Sequence, residues 1–399
     1  MVARASTHFG GVLDARQGAG ARAPLRRMFT LLVPNTTMPR SLLAALALIA
    51  SARLGAQRPT TPDMASRILG ALAHDSMQGR ATGTPGAQRA ATFIASEMKR
   101  IGLEPLGDSG FFQRVPVTVD SVRSYQRRRA PDPNDATKTI VVTDSSAPPT
   151  WSVRPRLRSS LAALDTVPLA RKPSSVNVLG VLRGSDPALR TEHILIDAHY
   201  DHLGMRKPGV NGDTIYNGAD DDASGVTAVL EIARQLAQGS RPKRTVIFAA
   251  TIGEEVGLLG TNWYVSHPAL PLEQMVANLE IEMIDRPDSL AGGPGKAWLT
   301  GYERSTMGDA LAASGIPIVP DKRPLEHFFE RSDNIAFARK GIVAHTLSTF
   351  NLHTDYHQPS DDVSKADFVH MSGVINAAAK AARLLSDGPK PEWKPGGKP

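Results

Sequence analysis

Five side chains that could bind a metal ion stand at the ends of successive apolar runs in this 399-residue sequence. They are His199, Asp221, Glu255, Glu282 and His357. Two imidazoles among three carboxylates suit zinc better than calcium or magnesium, which prefer oxygen ligands alone. Five ligands exceed the three that a catalytic one-zinc site usually takes from the protein. Two metal ions that share a bridging carboxylate would account for the excess.

Acidic residues cluster at two of these positions. Three consecutive aspartates, Asp220 to Asp222, precede a helix start at Ser224. One aspartate would satisfy a helix cap, whereas three adjacent carboxylates repel one another unless a cation is nearby. Glu254 and Glu255 follow an apolar run, where buried carboxylates would be costly without a partner. One of this pair can bind metal while its neighbour, which points elsewhere, remains free as a base.

The other candidate residues are weaker indications of a metal site when each is taken alone. Asp201 lies two residues after His199, so an acid can accept the proton of the imidazole nitrogen that faces away from a metal. Glu282 closes an apolar run, but Glu280 shares its face in an alternating strand and Asp285 follows closely. Either of these two carboxylates could therefore be the ligand instead.

The apolar runs have the length and β-branched content of strands, and helical periods separate several of them. The clearest helix follows Ser224, and others are expected near Asp63 to Asp75 and before Gly102. This alternation predicts an α/β fold, with a mixed, mostly parallel central sheet flanked by helices and ligands beyond the carboxyl ends of its strands. The predicted strands are Val176 to Leu182, His193 to Ala198, Thr245 to Thr251, Met275 to Ile284 and Ile342 to Leu347.

Residues 1–56 are predicted to be a leader. They hold seven arginines and one aspartate, a net +6 out of the chain's +7, so the basic balance does not indicate a nucleic-acid partner. Arg40 precedes the apolar stretch 41–50, which has the length of a signal-peptide h-region and is too short to span a bilayer. Met28 and Met38 remain alternative starts. We expect an exported protein, periplasmic or secreted, with no stable membrane anchor after cleavage.

Residues 57–386 are expected to form one domain. Within it, residues from about 120 to 173 carry clustered arginines and prolines with little periodicity, which predicts an irregular insertion. Residues 387–399 are rich in proline, glycine and lysine and are predicted to be disordered. The chain has no cysteine, which excludes disulfides and cysteine-bound metals.

From about Ala73 to Ser386, the sequence resembles the co-catalytic zinc metallopeptidase family that includes bacterial leucyl aminopeptidases, aminopeptidase Y and glutamate carboxypeptidase II. The resemblance implies a zinc-exopeptidase-like fold for the single domain at 57–386, with peptide substrates. It rests on Ala198-His-Tyr-Asp-His-Leu-Gly204, Asn217-Gly-Ala-Asp-Asp-Asp-Ala-Ser-Gly225, Gly253-Glu-Glu-Val-Gly-Leu-Leu-Gly260, Glu282-Met-Ile and Asp355-Tyr-His-Gln-Pro-Ser-Asp361.

The resemblance also implies two zinc ions per chain and a role for each site residue. Glu282 departs from the commonest pattern, since many members have aspartate there. Tyr356 is either a hydrogen-bond donor to the reacting substrate, as in some relatives, or a packing residue. The implied ligands are His199 and Glu282 for one zinc, Glu255 and His357 for the other and Asp221 for both, with Glu254 as the general base and Asp201 orienting His199.

The expected activity is therefore hydrolysis of amino-terminal residues from peptides by a metallo-aminopeptidase. A glutaminyl cyclase, which has a similar scaffold and one zinc, is an alternative. So are a carboxypeptidase and a non-catalytic, receptor-like relative. The sequence predicts neither the preferred substrate side chain nor the oligomeric state.

Overall fold

A computed structural model describes residues 58–399 except 126, 134, 145, 149, 210 and 211. The leader predicted at residues 1–56, with its apolar stretch at 41–50, lies outside the described residues. Within the described part of the chain, no helix combines the length and the apolar character that crossing a membrane requires.

The described residues form a nine-stranded mixed sheet and three two-stranded ladders. The strands are β1 (Glu104–Pro105), β2 (Phe112–Arg114), β3 (Val117–Ser124), β4 (Arg127–Asp132), β5 (Asp135–Thr143), β6 (Thr150–Leu157), β7 (Val176–Leu182), β8 (His193–His199), β9 (Gly204–Met205), β10 (Ile215–Tyr216), β11 (Thr245–Thr251), β12 (Met275–Ile281), β13 (Ala297–Leu299), β14 (Ile318–Pro320) and β15 (Ala344–Ser348). The α-helices are α1 (Pro62–Leu72), α2 (Pro85–Ile101), α3 (Gly225–Gln238), α4 (Leu259–Ser266), α5 (Thr306–Ala313), α6 (Asn334–Ala338) and α7 (Phe368–Asp387). A π-helical turn, Ala219–Ser224, leads into α3.

The order of strands in the large sheet is β1-β7-β11-β8-β12-β15-β13-β14, with β2 also paired to β7. The four central strands, β11, β8, β12 and β15, are all parallel. Toward the two edges, β7 and β13 run antiparallel to their inner neighbours. All five predicted strands are present, although β12 ends at Ile281 rather than Ile284 and β15 begins at Ala344. The predicted α/β fold with a mixed, mostly parallel sheet is confirmed.

Helices cover both faces of this sheet, as the side chains of β8 show. Ile196 packs in one core cluster and its neighbour Leu195 in another, because successive strand residues point to opposite faces. The first cluster includes buried residues of α1, α2, α3 and α7, among them Leu69, Ile94, Val229 and Ile375. The second includes Tyr264 of α4 and Phe337 of α6.

Local chemistry explains where the first helices begin and end. Thr61 and Thr84 cap α1 and α2 by accepting backbone N–H bonds, and a proline occupies the first helical position after each of them. Gly102 ends α2 with φ +91°, a left-handed conformation that favours glycine. The helix stop predicted at this glycine is confirmed.

The segment predicted to be irregular contains strands. β3 pairs with β6 and β4 with β5, in two antiparallel ladders that span residues 117–157. Val141 and Val153 on these strands are 62% and 68% exposed. The prediction was wrong for this part because ladders outside the main sheet bury few side chains and so carry no alternating apolar signal.

The predicted disorder of residues 387–399 is also wrong. Trp393 bridges to Ser305, and its indole N–H donates to the carbonyl of Gly341. Its ring lies 5.5 Å from that of His345. This aromatic anchor, together with the ion pair of Lys394 with Asp309 at 2.8 Å, holds a segment whose composition indicated disorder.

Candidate metal centre

The carboxyl ends of the parallel strands position the candidate ligands at one edge of the sheet. His199 is the last residue of β8 and lies beside Thr251, the last residue of β11. Glu255 follows β11 in a loop, and Glu282 comes directly after β12. Asp221 is supplied by the π-helical turn before α3 and His357 by the loop after β15. The structure brings all five predicted ligands together.

Two groups of ligand atoms are arranged around Asp221. In the first, which we call the His199 group, His199 Nε2 lies 3.3 Å from Asp221 Oδ1 and 3.9 Å from Glu282 Oε1. In the second, the His357 group, His357 Nε2 lies 3.1 Å from Asp221 Oδ2 and 3.3 Å from Glu255 Oε2. One carboxylate of Asp221 therefore faces both histidines, with a different oxygen toward each.

The two alternatives to Glu282 have other partners. Glu280 is buried and accepts hydrogen bonds from the hydroxyls of Ser332 and Thr346 and from two backbone amides. Burial raises the pKa of Glu280 to about 7. Asp285 lies 3.3 Å from the guanidinium of Arg286. Of the three carboxylates, only Glu282 lies in a three-ligand group with His199 and Asp221.

A third histidine, His202, belongs to the site and was missed by the sequence analysis. Its side chain is fully buried, with Nδ1 2.7 Å from Glu255 Oε1 and 3.8 Å from Asp221 Oδ2. The 2.7 Å separation between His202 Nδ1 and Glu255 Oε1 is short enough for a hydrogen bond. The signal was available in the sequence, because His202 stands three residues after His199 in Ala198-His-Tyr-Asp-His-Leu-Gly204.

Asp201 contacts His199 in a different way from the one expected. The Nδ1 atom of His199 lies 3.1 Å from the backbone oxygen of Asp201 and 3.9 Å from its carboxylate. The carboxylate instead accepts hydrogen bonds from the backbone amides of Gly253 and Glu254 and from the hydroxyl of Thr82. Burial raises the pKa of Asp201 to about 6, so the group is still mostly ionised at neutral pH.

A buried arginine lies behind the acidic residues. Arg80 donates hydrogen bonds to the carbonyls of Leu72, Tyr200, Asn217 and Gly218, at 2.6 to 2.9 Å. These carbonyls come from the end of α1, from the residue after His199 and from the approach to Asp221. The guanidinium thus fixes the backbone that carries two of the ligands.

Glu254 and Tyr356 complete the predicted site. Burial, reinforced by the charges of Glu282, Asp333 and Glu255 against that of His199, raises the pKa of Glu254 well above its usual range. Burial and the nearby carboxylates also raise the pKa of Tyr356, whose ring stacks on His357 with centroids 3.9 Å apart. Tyr356 and Glu282 line a cavity together with Met283, Trp298, Thr300, Phe328, Arg331, Thr346, Ser348 and Phe350.

The polar atoms at the centre fit a metal. His199 Nε2 and His202 Nε2 are buried without a hydrogen-bond partner. Such atoms are costly inside a protein unless something binds them. Because the donors are imidazole nitrogens and carboxylate oxygens, the set suits zinc. The residues present therefore fit the cofactor that the sequence indicates.

Known proteases resemble this chain over part of its length. "Vacuolar membrane protease" of Candida dubliniensis is 38% identical over 106 residues, 27% of this chain and 10% of that protein. "Probable leucine aminopeptidase 2" of Aspergillus oryzae is 32% identical over 184 residues, 44% of this chain and 34% of that protein. The chain thus spans 10% and 34% of the length of these two curated relatives.

Among solved structures, a zinc aminopeptidase from Bacillus subtilis has a TM-score of 0.56 with 14% identity, covering 83% of this chain and 96% of that one. At this identity the likeness establishes the fold. The sequence profile of peptidase family M28 matches residues 177–382, about half of the chain and the part that carries all five predicted ligands. This chain belongs to peptidase family M28.

Proposed function

We propose that this protein is a two-zinc aminopeptidase. The His199 group would hold one zinc, the His357 group would hold the other, and Asp221 would bind both. The observation that supports this most is the position of Asp221, with Oδ1 3.3 Å from His199 and Oδ2 3.1 Å from His357. Zinc is the metal named for the Bacillus subtilis enzyme of the same fold.

The residues around the metals have separable tasks in this proposal. When bound, zinc supplies a Lewis acid that lowers the pKa of a water molecule and polarises the scissile carbonyl. Glu254 takes a proton from the attacking water and returns it to the leaving amine. Burial raises the pKa of Glu254, which favours its holding the proton that it returns to the leaving amine.

Tyr356 would act as a hydrogen-bond donor. Burial raises the pKa of its phenol, so the hydroxyl keeps its proton at neutral and moderately alkaline pH. Because the ring lines the cavity beside Glu282, the hydroxyl can donate to the carbonyl oxygen of a substrate held there. Trp298, Phe328 and Phe350 give part of the cavity an aromatic wall, which favours an apolar side chain at the cleaved end of the peptide.

The substitution Glu254→Gln tests the assignment of the base. It should lower kcat by roughly 10²- to 10⁴-fold, because a general base typically contributes that much, while zinc content stays unchanged. Glu273→Gln, on an exposed glutamate, is the matched control and should retain full activity. Wild-type kcat in the Glu254→Gln enzyme would sink the proposed role of this residue.

Metal analysis combined with a substrate panel tests the rest. Two zinc ions per chain and hydrolysis of free-amine aminoacyl anilides, blocked by a chelator, are expected. One zinc with cyclisation of glutaminyl peptides would identify a cyclase instead. Release of carboxy-terminal residues would identify a carboxypeptidase, and a zinc-loaded protein inert toward the whole panel would revive the non-catalytic alternative.

We also propose that the protein is exported, to the periplasm or the medium. The support is the Arg40-flanked apolar stretch at 41–50 in the sequence. Sequencing the amino terminus of protein recovered from outside the cytoplasm checks it. Recovery only from the cytoplasm, with the leader intact, would contradict it.

A further inference from the structure

We propose that Thr82 positions the general base, acting through the carboxylate of Asp201. The inference rests on the proposed role of Glu254 and adds a residue more than a hundred positions upstream to the same site. Thr82 lies in the loop between α1 and α2, outside the segment that matches the family profile. It touches neither the candidate ligands nor the cavity beside Glu282, so it would be a positioning residue.

A short chain of hydrogen bonds links Thr82 to the base. The Thr82 hydroxyl donates to Asp201 Oδ2 at 2.8 Å. The other oxygen, Oδ1, accepts the backbone N–H of Gly253 at 2.7 Å and that of Glu254 at 3.2 Å. The side chain of Glu254 therefore starts from a backbone held by this carboxylate.

The carboxylate of Asp201 is available for this task because His199 does not use it. His199 Nδ1 contacts the backbone oxygen of Asp201, whereas the carboxylate is 3.9 Å away. The side chain is therefore turned toward the loop that carries Glu254 and Glu255. Its structural partners indicate that it orients this loop more directly than it orients the imidazole.

Because Thr82 and Asp201 are buried, water cannot replace the hydrogen bond between them. Asp201 is completely buried, and Thr82 is nearly so. The hydroxyl is the one partner that the structure shows for Oδ2, so without it an ionised oxygen would face the protein interior unpaired. Rotation of the carboxylate to relieve this would withdraw Oδ1 from the amides of Gly253 and Glu254.

The loop that presents Thr82 is itself held firmly. Two residues earlier, Arg80 makes its four bonds to carbonyls on both sides of the site. Two residues later, Thr84 caps α2 by accepting the N–H of Ala87. Thr82 is thus not needed as the helix cap, and its hydroxyl is directed at Asp201 from an anchored backbone.

The test is Thr82→Val, which removes the hydroxyl but keeps the shape, with Thr82→Ser as the variant that restores it. We expect Thr82→Val to lower kcat by roughly 10- to 100-fold, as loss of outer partners at metal sites typically does, with KM changed less than about twofold and zinc content unchanged. Thr82→Ser should return most of the rate. Thr118→Val is the matched control. Like Thr82, Thr118 is buried and its hydroxyl is hydrogen-bonded, but its partner is Arg158 and it lies in β3, away from the site.

Hydrogen exchange separates positioning from mere support of the fold. In Thr82→Val the amides of Gly253 and Glu254 should exchange faster, while those of Gly102 and Leu103, which donate to carbonyls at the end of α2, should not change. Wild-type kcat in Thr82→Val, or an equal loss of rate in Thr82→Ser, would overturn the inference. If Glu254→Gln is fully active, the proposed base fails instead, so the two failures are distinguishable.

Discussion

The His199 group and the His357 group share Asp221 but are built from different kinds of structure. His199 ends a central strand and is completely buried, and Glu282 follows the neighbouring strand. His357 stands in a loop with φ +58°, and its side chain is 35% exposed. A metal held from the sheet is fixed by the core, whereas one held from a loop depends on what anchors that loop.

The loop with His357 is anchored through charges. Arg286 lies 2.5 Å from Asp355 and 3.1 Å from Asp361. Asp361 in turn accepts the backbone amides of Asp220 and Asp221. The loop and the shared ligand are therefore connected, so the His357 group is tethered to the His199 group rather than independent of it.

The largest expected effect comes from replacing Asp221, the ligand that the two groups share. Asp221→Asn should lose zinc from both groups and lower kcat/KM by at least about 10³-fold, because an amide lacks the charge needed to bind two cations. Zinc per chain and hydrolysis of an aminoacyl anilide measure this. Asp222→Asn is the control, since Asp222 Oδ1 accepts two backbone amides and an amide oxygen can do the same.

An Asp221→Asn enzyme that keeps one zinc would show that the two groups are less dependent on this carboxylate than the geometry indicates. The position of the remaining metal would then tell which group holds metal alone.

A smaller effect should distinguish the groups from each other. His202 lies 2.7 Å from Glu255 Oε1 and so belongs with the His357 group. His202→Phe keeps a ring but removes both nitrogens, and it should weaken binding of one zinc roughly 10- to 100-fold while the other remains tightly bound. His202→Asn, which keeps an N–H near the Nδ1 position, should lose less. Stepwise removal of zinc with a chelator gives both affinities.

Equal weakening of both zinc ions in His202→Phe would contradict the assignment of His202 to one group. If both His202→Phe and His202→Asn lost the zinc of the His357 group, His202 would instead be a direct ligand, because only an imidazole could then hold that zinc.

The smallest expected effect is a loss of folding stability at acidic pH. Burial lowers the pKa of His345 in β15 to about 4, against ~6.5 in an unfolded chain. Between these values the unfolded chain binds more protons than the folded one, so stability is complete above pH ~6.5 and falls as the pH drops toward 4. Between pH 7 and pH 5.5, His345 should lower the free energy of unfolding by about 1 kcal/mol.

Urea unfolding with a chelator present isolates this effect from metal release. His345→Gln should be less stable at pH 7, because His345 contacts Ser305 and Thr300, but should lose that part of the pH dependence. An unchanged pH dependence would show that His345 is not the acid-sensitive group, leaving His193 in β8, whose pKa burial also lowers to about 4, and the metal groups to account for it.

The sequence predicted what lies at strand ends and missed what depends on distant contacts. His199, Glu254, Glu255 and Glu282 closely follow apolar runs, so the strand pattern places them at one edge of the sheet. Asp221 and His357, in a turn before α3 and a loop after β15, were indicated by their motifs. Arg80 meets the carbonyl of Tyr200 across 120 positions, and Thr82 meets Asp201 across 119. No local sequence pattern indicates a contact between residues so far apart in the chain. His202 was visible in its motif, but only the fold shows its contact with Glu255.

Arg80 has a consequence for how the molecule opens. Its four carbonyl partners belong to the end of α1, the end of β8 and the approach to the π-helical turn. Separating any one of these segments would leave part of a buried guanidinium without its acceptor, which is unfavourable enough to discourage partial opening. The first helix and the metal site should therefore unfold as one cooperative unit, and a protease that cuts within α1 would disable a site built almost entirely from residues after 198.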